Sequence, residues 1–172
     1  MPPKPLYDLS EVDLEHVEFG KDELDVLLPQ TDVMRQLHGI IHNDADAGVA
    51  VGFRDVREDE FWVKGHFSAK PVFPGVLLVE SAAQLCVFLW RRKIGRTEAP
   101  GRVMLFGGID EVKFRDAVFP GQRLILVAKE ETVRVRRSDY DCQAYVDGML
   151  VFTGKITALL GPHMPDVYPD RI

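Results

Sequence analysis

Residues 76–90 read VLLVESAAQLCVFLW, an apolar run broken only by Glu80, Ser81 and Gln84. Pro74 and Gly75 stand at its start and Gly95 follows its end, so the spacing predicts one helix over residues 74–94. A helix that is apolar around most of its circumference has to be enclosed rather than laid on a surface. The run is too short to cross a bilayer, and its polar residues argue against a span. Burying a carboxylate is costly unless something pairs with it or uses it, so Glu80 calls for a chemical explanation.

The rest of the chain supplies material for the enclosure. LHGIIHNDADAGVAVGFRDV reads as two strands around a turn at Asn43 to Gly48. Downstream, VMLFGGIDEVKFRDAVF gives one or two strands and Pro120-Gly121 a turn. RLILVAKEETVRVRR is a long strand, and YDCQAYVD is joined to MLVFTGKITALL by Asp147-Gly148, a hairpin signal. The first thirty residues are acidic and hold a short amphipathic stretch, Lys21 to Leu28, which Pro29 ends. The expectation is an α+β chain, residues 1–172 as a single domain with an N-terminal extension and short helix over 1–30. A curved antiparallel sheet would wrap around the central helix.

Charge and composition exclude several functions. A formal charge of −6 argues against nucleic acid as a partner. The N-terminus lacks the apolar region of a secretory signal. Cys86 and Cys142 lie in apolar or strand-like segments without metal-type spacing, as reduced packing residues of a cytoplasmic protein would. His38 and His42 have zinc-helix spacing, but on a strand their rings stand roughly 13 Å apart, too far for one metal. NDADAG lacks the full calcium-loop pattern and reads as a turn. Neither a metal nor a cofactor is expected. Arg91 to Lys93 reads as a solvated helix end favoured by the dipole.

On the central helix, Glu80 and Gln84 are four apart and share a face, with Val76 on that face near the N-terminus. The N–H groups of Gly75 and Val76 are free of intrahelical partners and sit about 7 Å from Glu80 along the axis. Such a terminus suits negative charge, including the oxyanion of a polarised thioester carbonyl. Glycine at position 75 lets an acyl chain approach the backbone closely.

The order His66-Phe67, Pro71, Pro74-Gly75-Val76, Glu80 and Gln84 resembles the 3-hydroxyacyl-[acyl-carrier-protein] dehydratases of fatty acid synthesis, the FabZ type. FGGIDEVKFRDAVFPGQRLIL is similar to the second signature of that family, with Gly108-Ile109-Asp110, Phe114 and Pro120-Gly121. The resemblance spans about residues 60 to 128 and implies a hot-dog fold. It also implies a homodimer with sites at the subunit interface, often a trimer of dimers, in which His66 of one subunit works with Glu80 of the other. The residue types fit that chemistry. Histidine titrates near neutrality and suits the general base, while a carboxyl in an apolar setting can protonate the departing hydroxyl. Gly75, with Val76, would hold the enolate oxygen. By the family pattern the Val72 carbonyl fixes the His66 tautomer and Gln84 orients Glu80 or the leaving water. Phe67, Phe73, Leu105 and Phe106 would line the substrate tunnel. Glutamate at position 80 resembles the branch that dehydrates without isomerising.

The chain departs from the family in several places. Ser68 stands where proline usually follows His-Phe, which would loosen the turn that presents His66. The family's LLPHR-PF is reduced to Leu27-Leu28-Pro29 followed by Gln30-Thr31, and Met104, Leu105 and Phe106 replace the gating tyrosine before GID. The implied partner, acyl carrier protein, is acidic, so a chain with net negative charge needs a local basic patch. Lys113 and Arg115 are the first candidates and Arg91, Arg92, Lys93 and Arg96 the second, with Asp116 weakening the first set. Two other classes compete: a hot-dog acyl thioesterase, and a non-catalytic acyl-binding hot-dog protein. Retention of both His66 and Glu80 speaks against the binder.

Overall fold

A computed structural model describes residues 3–164 and 166–168. Six antiparallel strands form one sheet: β1 (Gly39–Asp44), β2 (Val49–Asp55), β3 (Arg102–Phe114), β4 (Arg123–Val133), β5 (Arg137–Val146) and β6 (Met149–His163). Their order across the sheet is β1-β2-β4-β5-β6-β3. The β1–β2 turn is held by the Asp44 carboxylate, which accepts the Ala47 N–H at 2.9 Å. At the β5–β6 turn Asp147 and Gly148 both take positive φ, 49° and 76°, as a two-residue hairpin of this hand requires.

Two helices precede β3. In α1 (Lys21–Leu27) the Gly20 N–H donates to the Glu23 carboxylate at 2.9 Å, and Leu24 and Leu27 are buried. The long α2 (Gly75–Trp90) lies against the sheet and buries every residue from Ser81 to Trp90. The helix expected over 74–94 changes character at its end, because Arg91–Gly95 widen into a π turn. Arg91, expected in solvent, is buried: its guanidinium lies over the Tyr168 ring at 3.9 Å and donates to the Gly95 carbonyl. Arg92 lies over Phe19 and Lys93 pairs with Glu130, yet both stay exposed as expected, so Arg91 alone of the run is drawn inward.

Strand periodicity sorts the apolar residues of β2 and β4 onto two faces. Ala50, Leu124, Leu126 and Ala128 face α2 and join the main core. Val49, Val51, Phe53, Ile125 and Val127 point the other way, and there Leu6, Tyr7, Leu9, Val12 and Leu14 cover them. The N-terminal extension is therefore a strap across the outer face of the sheet. Gln143 fastens it, accepting the Leu6 N–H at 2.9 Å and donating to the Lys4 carbonyl at 2.9 Å. His42 meets the Tyr7 hydroxyl at 2.9 Å, while His38 accepts the Asp55 N–H at 3.1 Å. The two histidines thus serve separate packing roles. Cys86 on α2 and Cys142 on β5 are buried free thiols whose sulfurs lie 3.5 Å apart.

The two edges of the sheet differ. At β1, Glu18 and Phe19 both donate to the Ile40 carbonyl and Phe19 accepts from Ile40, so the edge is partly capped. At β3, Leu105, Phe106, Ile109 and Phe114 are all exposed on an edge that, among the described residues, pairs only with β6. An uncovered edge bearing large apolar side chains is a ready surface for another chain.

Candidate active site

Glu80 sits on α2 at the mouth of a small cleft of about 40 Å³ between the helix and strands β3 and β6. Its lining includes Gln30, Cys86, Leu105, Phe106 and Ile156, so the surroundings of the carboxyl are largely apolar. Burial pushes the Glu80 carboxyl above its ordinary value, and hydrogen bonds from Gln84 and Gln30 draw it partly back. Both donors use the same oxygen: Gln84 Nε2 reaches Glu80 Oε1 at 2.9 Å and Gln30 Nε2 reaches it at 3.2 Å. Glu80 Oε2 has no hydrogen-bond partner among the described residues.

Gln84 is fully buried and uses its whole amide. Its Oε1 accepts the N–H groups of Gln36 at 2.8 Å and Leu37 at 3.1 Å, and its Nε2 also donates to the Met34 carbonyl at 2.7 Å. One side chain thereby pins residues 34–37 to the helix and aims Glu80. The sequence leads us to expect Gln84 to orient Glu80 or the leaving water, and the bonds to residues 34–37 are not foreseen there.

His66 lies in the loop before α2. Its Nδ1 is 2.8 Å from the Val72 carbonyl, and since a carbonyl only accepts, Nδ1 carries the proton and Nε2 presents its lone pair. The loop is closed although Ser68 replaces proline: Val72 N–H donates to the His66 carbonyl at 2.8 Å and Lys70 N–H to the Phe67 carbonyl at 3.1 Å. The His66–Phe67 peptide is cis. At the start of α2 the first N–H groups bonded to a carbonyl are those of Leu77 and Leu78, both to Pro74, which leaves Gly75 and Val76 as free donors among the described residues. A Cβ at Gly75 would come within 2.8 Å of the Phe114 ring, so glycine is what lets that ring lie on the helix start.

The expected residues do not all meet within one chain. Glu80, Gln84, Leu105 and Phe106 come together, and Val72 joins His66. No hydrogen bond links His66 to Glu80 among the described residues, and His66 is not part of the Glu80 cleft. Phe67 is 60% exposed and stacks on His66, with ring centres 4.4 Å apart. Phe73 is a core residue, packed edge-on against Trp62 beneath the Arg54 guanidinium. Lys113 and Arg115 are exposed and border a surface cleft that also takes in Lys4 and Lys155.

Three comparisons set this geometry among known proteins. Residues 28–155 match the model of the FabA-like domain. The chain belongs to the FabA-like family. A 3-hydroxyacyl-[acyl-carrier-protein] dehydratase FabZ from Brucella abortus (strain S19) is 41% identical over 123 residues, 70% of this chain and 75% of that protein. A FabZ from Teredinibacter turnerae is 39% identical over 104 residues, 60% of this chain and 71% of its own length. The dehydratase heterocomplex ApeI:P from Xenorhabdus doucetiae shares the fold at a TM-score of 0.65 and 20% identity, over 81% of this chain and 91% of that one. Within the FabA-like family the chain is of the FabZ type, and its sheet wrapped around α2 is the hot-dog fold. The FabA-like match leaves out the strap but takes in every residue described around Glu80 and His66. It also takes in Gln30, which sequence reasoning registered only as a departure from LLPHR-PF. The missed signal was a polar amide directly after Leu27-Leu28-Pro29.

Proposed function

We propose that this chain dehydrates 3-hydroxyacyl-[acyl-carrier-protein] to the trans-2-enoyl form in fatty acid biosynthesis, in the cytoplasm and without a cofactor. The observation that carries the reading is the pairing of opposite chemistries: a carboxyl held above its ordinary value in an apolar cleft, and a histidine with Nε2 free. In the reaction, His66 Nε2 takes the α-proton and the released electron pair forms the double bond. The bond from the β-carbon to oxygen breaks, and that oxygen takes the Glu80 proton and leaves as water. The N–H groups of Gly75 and Val76 hold the thioester oxygen while negative charge gathers there.

Each site draws on two copies of the chain, His66 from one and Glu80 from the other. The open β3 edge, with Leu105, Phe106, Ile109 and Phe114 exposed, supports that pairing, and the family resemblance adds the trimer of dimers. Carrier protein docks at Lys113 and Arg115, where Lys4 and Lys155 add positive charge and Glu111 and Asp141 offset part of it.

The test is subunit mixing. His66→Ala and Glu80→Gln each lower turnover by about 10²–10⁴-fold while the protein stays folded. Equal mixing after verified exchange restores roughly a quarter of wild-type activity, because half of the dimers are mixed and each holds one intact site. No recovery would place the site within one chain. Thiol release in place of enoyl absorbance would favour the thioesterase reading, and binding with neither product the non-catalytic one.

A further inference from the structure

The Gln30 side chain is divided between two environments. Its Nε2 donates to Glu80 Oε1, whereas its Oε1 is buried with no hydrogen-bond partner among the described residues. A buried carbonyl oxygen left unpaired is costly and marks a place where a partner is missing. Gln30 lines the same cleft as Glu80, Leu105 and Phe106, which sets the unmatched acceptor within the cleft wall beside the acid.

The orientation of the amide follows from its neighbours. Glu80 Oε1 already accepts from Gln84 Nε2 at 2.9 Å, and a second N–H from Gln30 fills it. Turning the Gln30 amide over would set its carbonyl oxygen against Oε1 and lose that bond. With Oε1 occupied by two donors, the proton that Glu80 delivers resides on Oε2.

We infer that Gln30 Oε1 accepts the O–H of the substrate's 3-hydroxyl group, holding that oxygen against the protonated Oε2 of Glu80. The assignment rests on the dehydratase reading and deepens it. The 3-hydroxyl oxygen accepts from Glu80 and donates to Gln30, so the hydrogen it already carries is fixed in the direction opposite the incoming one. When the bond to carbon breaks, the oxygen leaves as water with its first hydrogen still on Gln30. A saturated acyl chain, having no such hydrogen, leaves the acceptor unmatched. Gln30 would therefore select 3-hydroxyacyl chains over their deoxy counterparts.

The experiment compares wild type, Gln30→Met, which keeps length and loses the amide, and Gln30→His, whose neutral ring keeps one donor and one acceptor. Pantetheine thioesters of 3-hydroxyoctanoate and octanoate serve as probes. Binding is measured in the inactive His66→Ala background and turnover in the native one. Gln30→Met should lose at least about 10-fold of the preference for the 3-hydroxyl and lower kcat about 10- to 100-fold, with KM changing less. Gln30→His should restore most of both. The falling limb of the pH profile should also move upward in Gln30→Met, since the lost N–H holds the Glu80 carboxyl down. A hydroxyl preference and kcat within about 3-fold of wild type in Gln30→Met would overturn the assignment. If that variant does not fold, His66→Ala alone decides with a 3-fluoro-octanoyl thioester, which matches the hydroxyl in size and cannot donate. Binding as tight as the 3-hydroxy ligand would overturn the assignment. Absence of enoyl product from wild type would instead remove the dehydratase reading and this assignment with it; an active wild type with an unaffected Gln30→Met removes this assignment alone.

Discussion

Replacing Gln84 by leucine separates packing from hydrogen bonding at one buried position. Leucine nearly matches glutamine in volume, so little cavity is left, but all four hydrogen bonds of the amide are lost. Three of their partners are backbone groups: the N–H of Gln36, the N–H of Leu37 and the carbonyl of Met34. Gln36 and Leu37 are buried, so their N–H groups find no ready replacement in water. Each backbone group left unpaired costs about 1–3 kcal/mol, and local relaxation lowers the total, giving about 3–5 kcal/mol. For a chain of this size that is a fall in Tm of roughly 10–15 °C. Thermal melting by circular dichroism, backed by urea titration with an unchanged m value, reads the effect. A Tm within about 3 °C of wild type would refute the reasoning, since it would mean that residues 34–37 hold their place without Gln84.

Two further outcomes are expected. Burial raises the Glu80 carboxyl, so its contribution to stability is complete below its unfolded-state pKa and is lost as pH rises through the folded one; Glu80→Gln should melt near wild type at about pH 4 and above it at about pH 8. Equal differences at both pH values would mean that the carboxyl feels no burial. Lys113→Glu combined with Arg115→Glu should raise KM for carrier-bound substrate several-fold more than KM for a short thioester, and the excess should shrink with added salt, measured by enoyl absorbance. Equal losses on both substrates would assign these residues to the shape of the site.

The central helix and its enclosing sheet are legible in the sequence because their signals are local. An apolar run bounded by Pro74 and Gly95 admits one element, and Asp147-Gly148 between alternating segments admits one turn. Glu80 is legible for the converse reason, as the charge that an enclosed helix does not tolerate idly. What escapes is set by distant parts of the chain. Gln84 looks like a helper of Glu80 because that neighbour is one turn away, while its bonds to residues 34–37 cross nearly fifty positions. Gln30 escapes in the same way, and so does Arg91, whose stacking partner Tyr168 lies far along the chain. The strap was open to inference from β2, since VAVGF is apolar on both faces and implies a cover on each. Nothing in PPKPLYDLSEVD says which segment provides it.

That cover bears on how copies of the molecule can pile together. Sheets of this kind can stack broadside, burying the outer surfaces of two neighbours against one another. Here the broad side at β2 and β4 is already taken by Leu6, Tyr7, Leu9, Val12 and Leu14, so this part of the sheet offers a visitor a lining and not a bare wall. Cutting the chain back to residue 28, where the family match begins, would strip the lining and bare Val49, Val51, Phe53, Ile125 and Val127 to any neighbour.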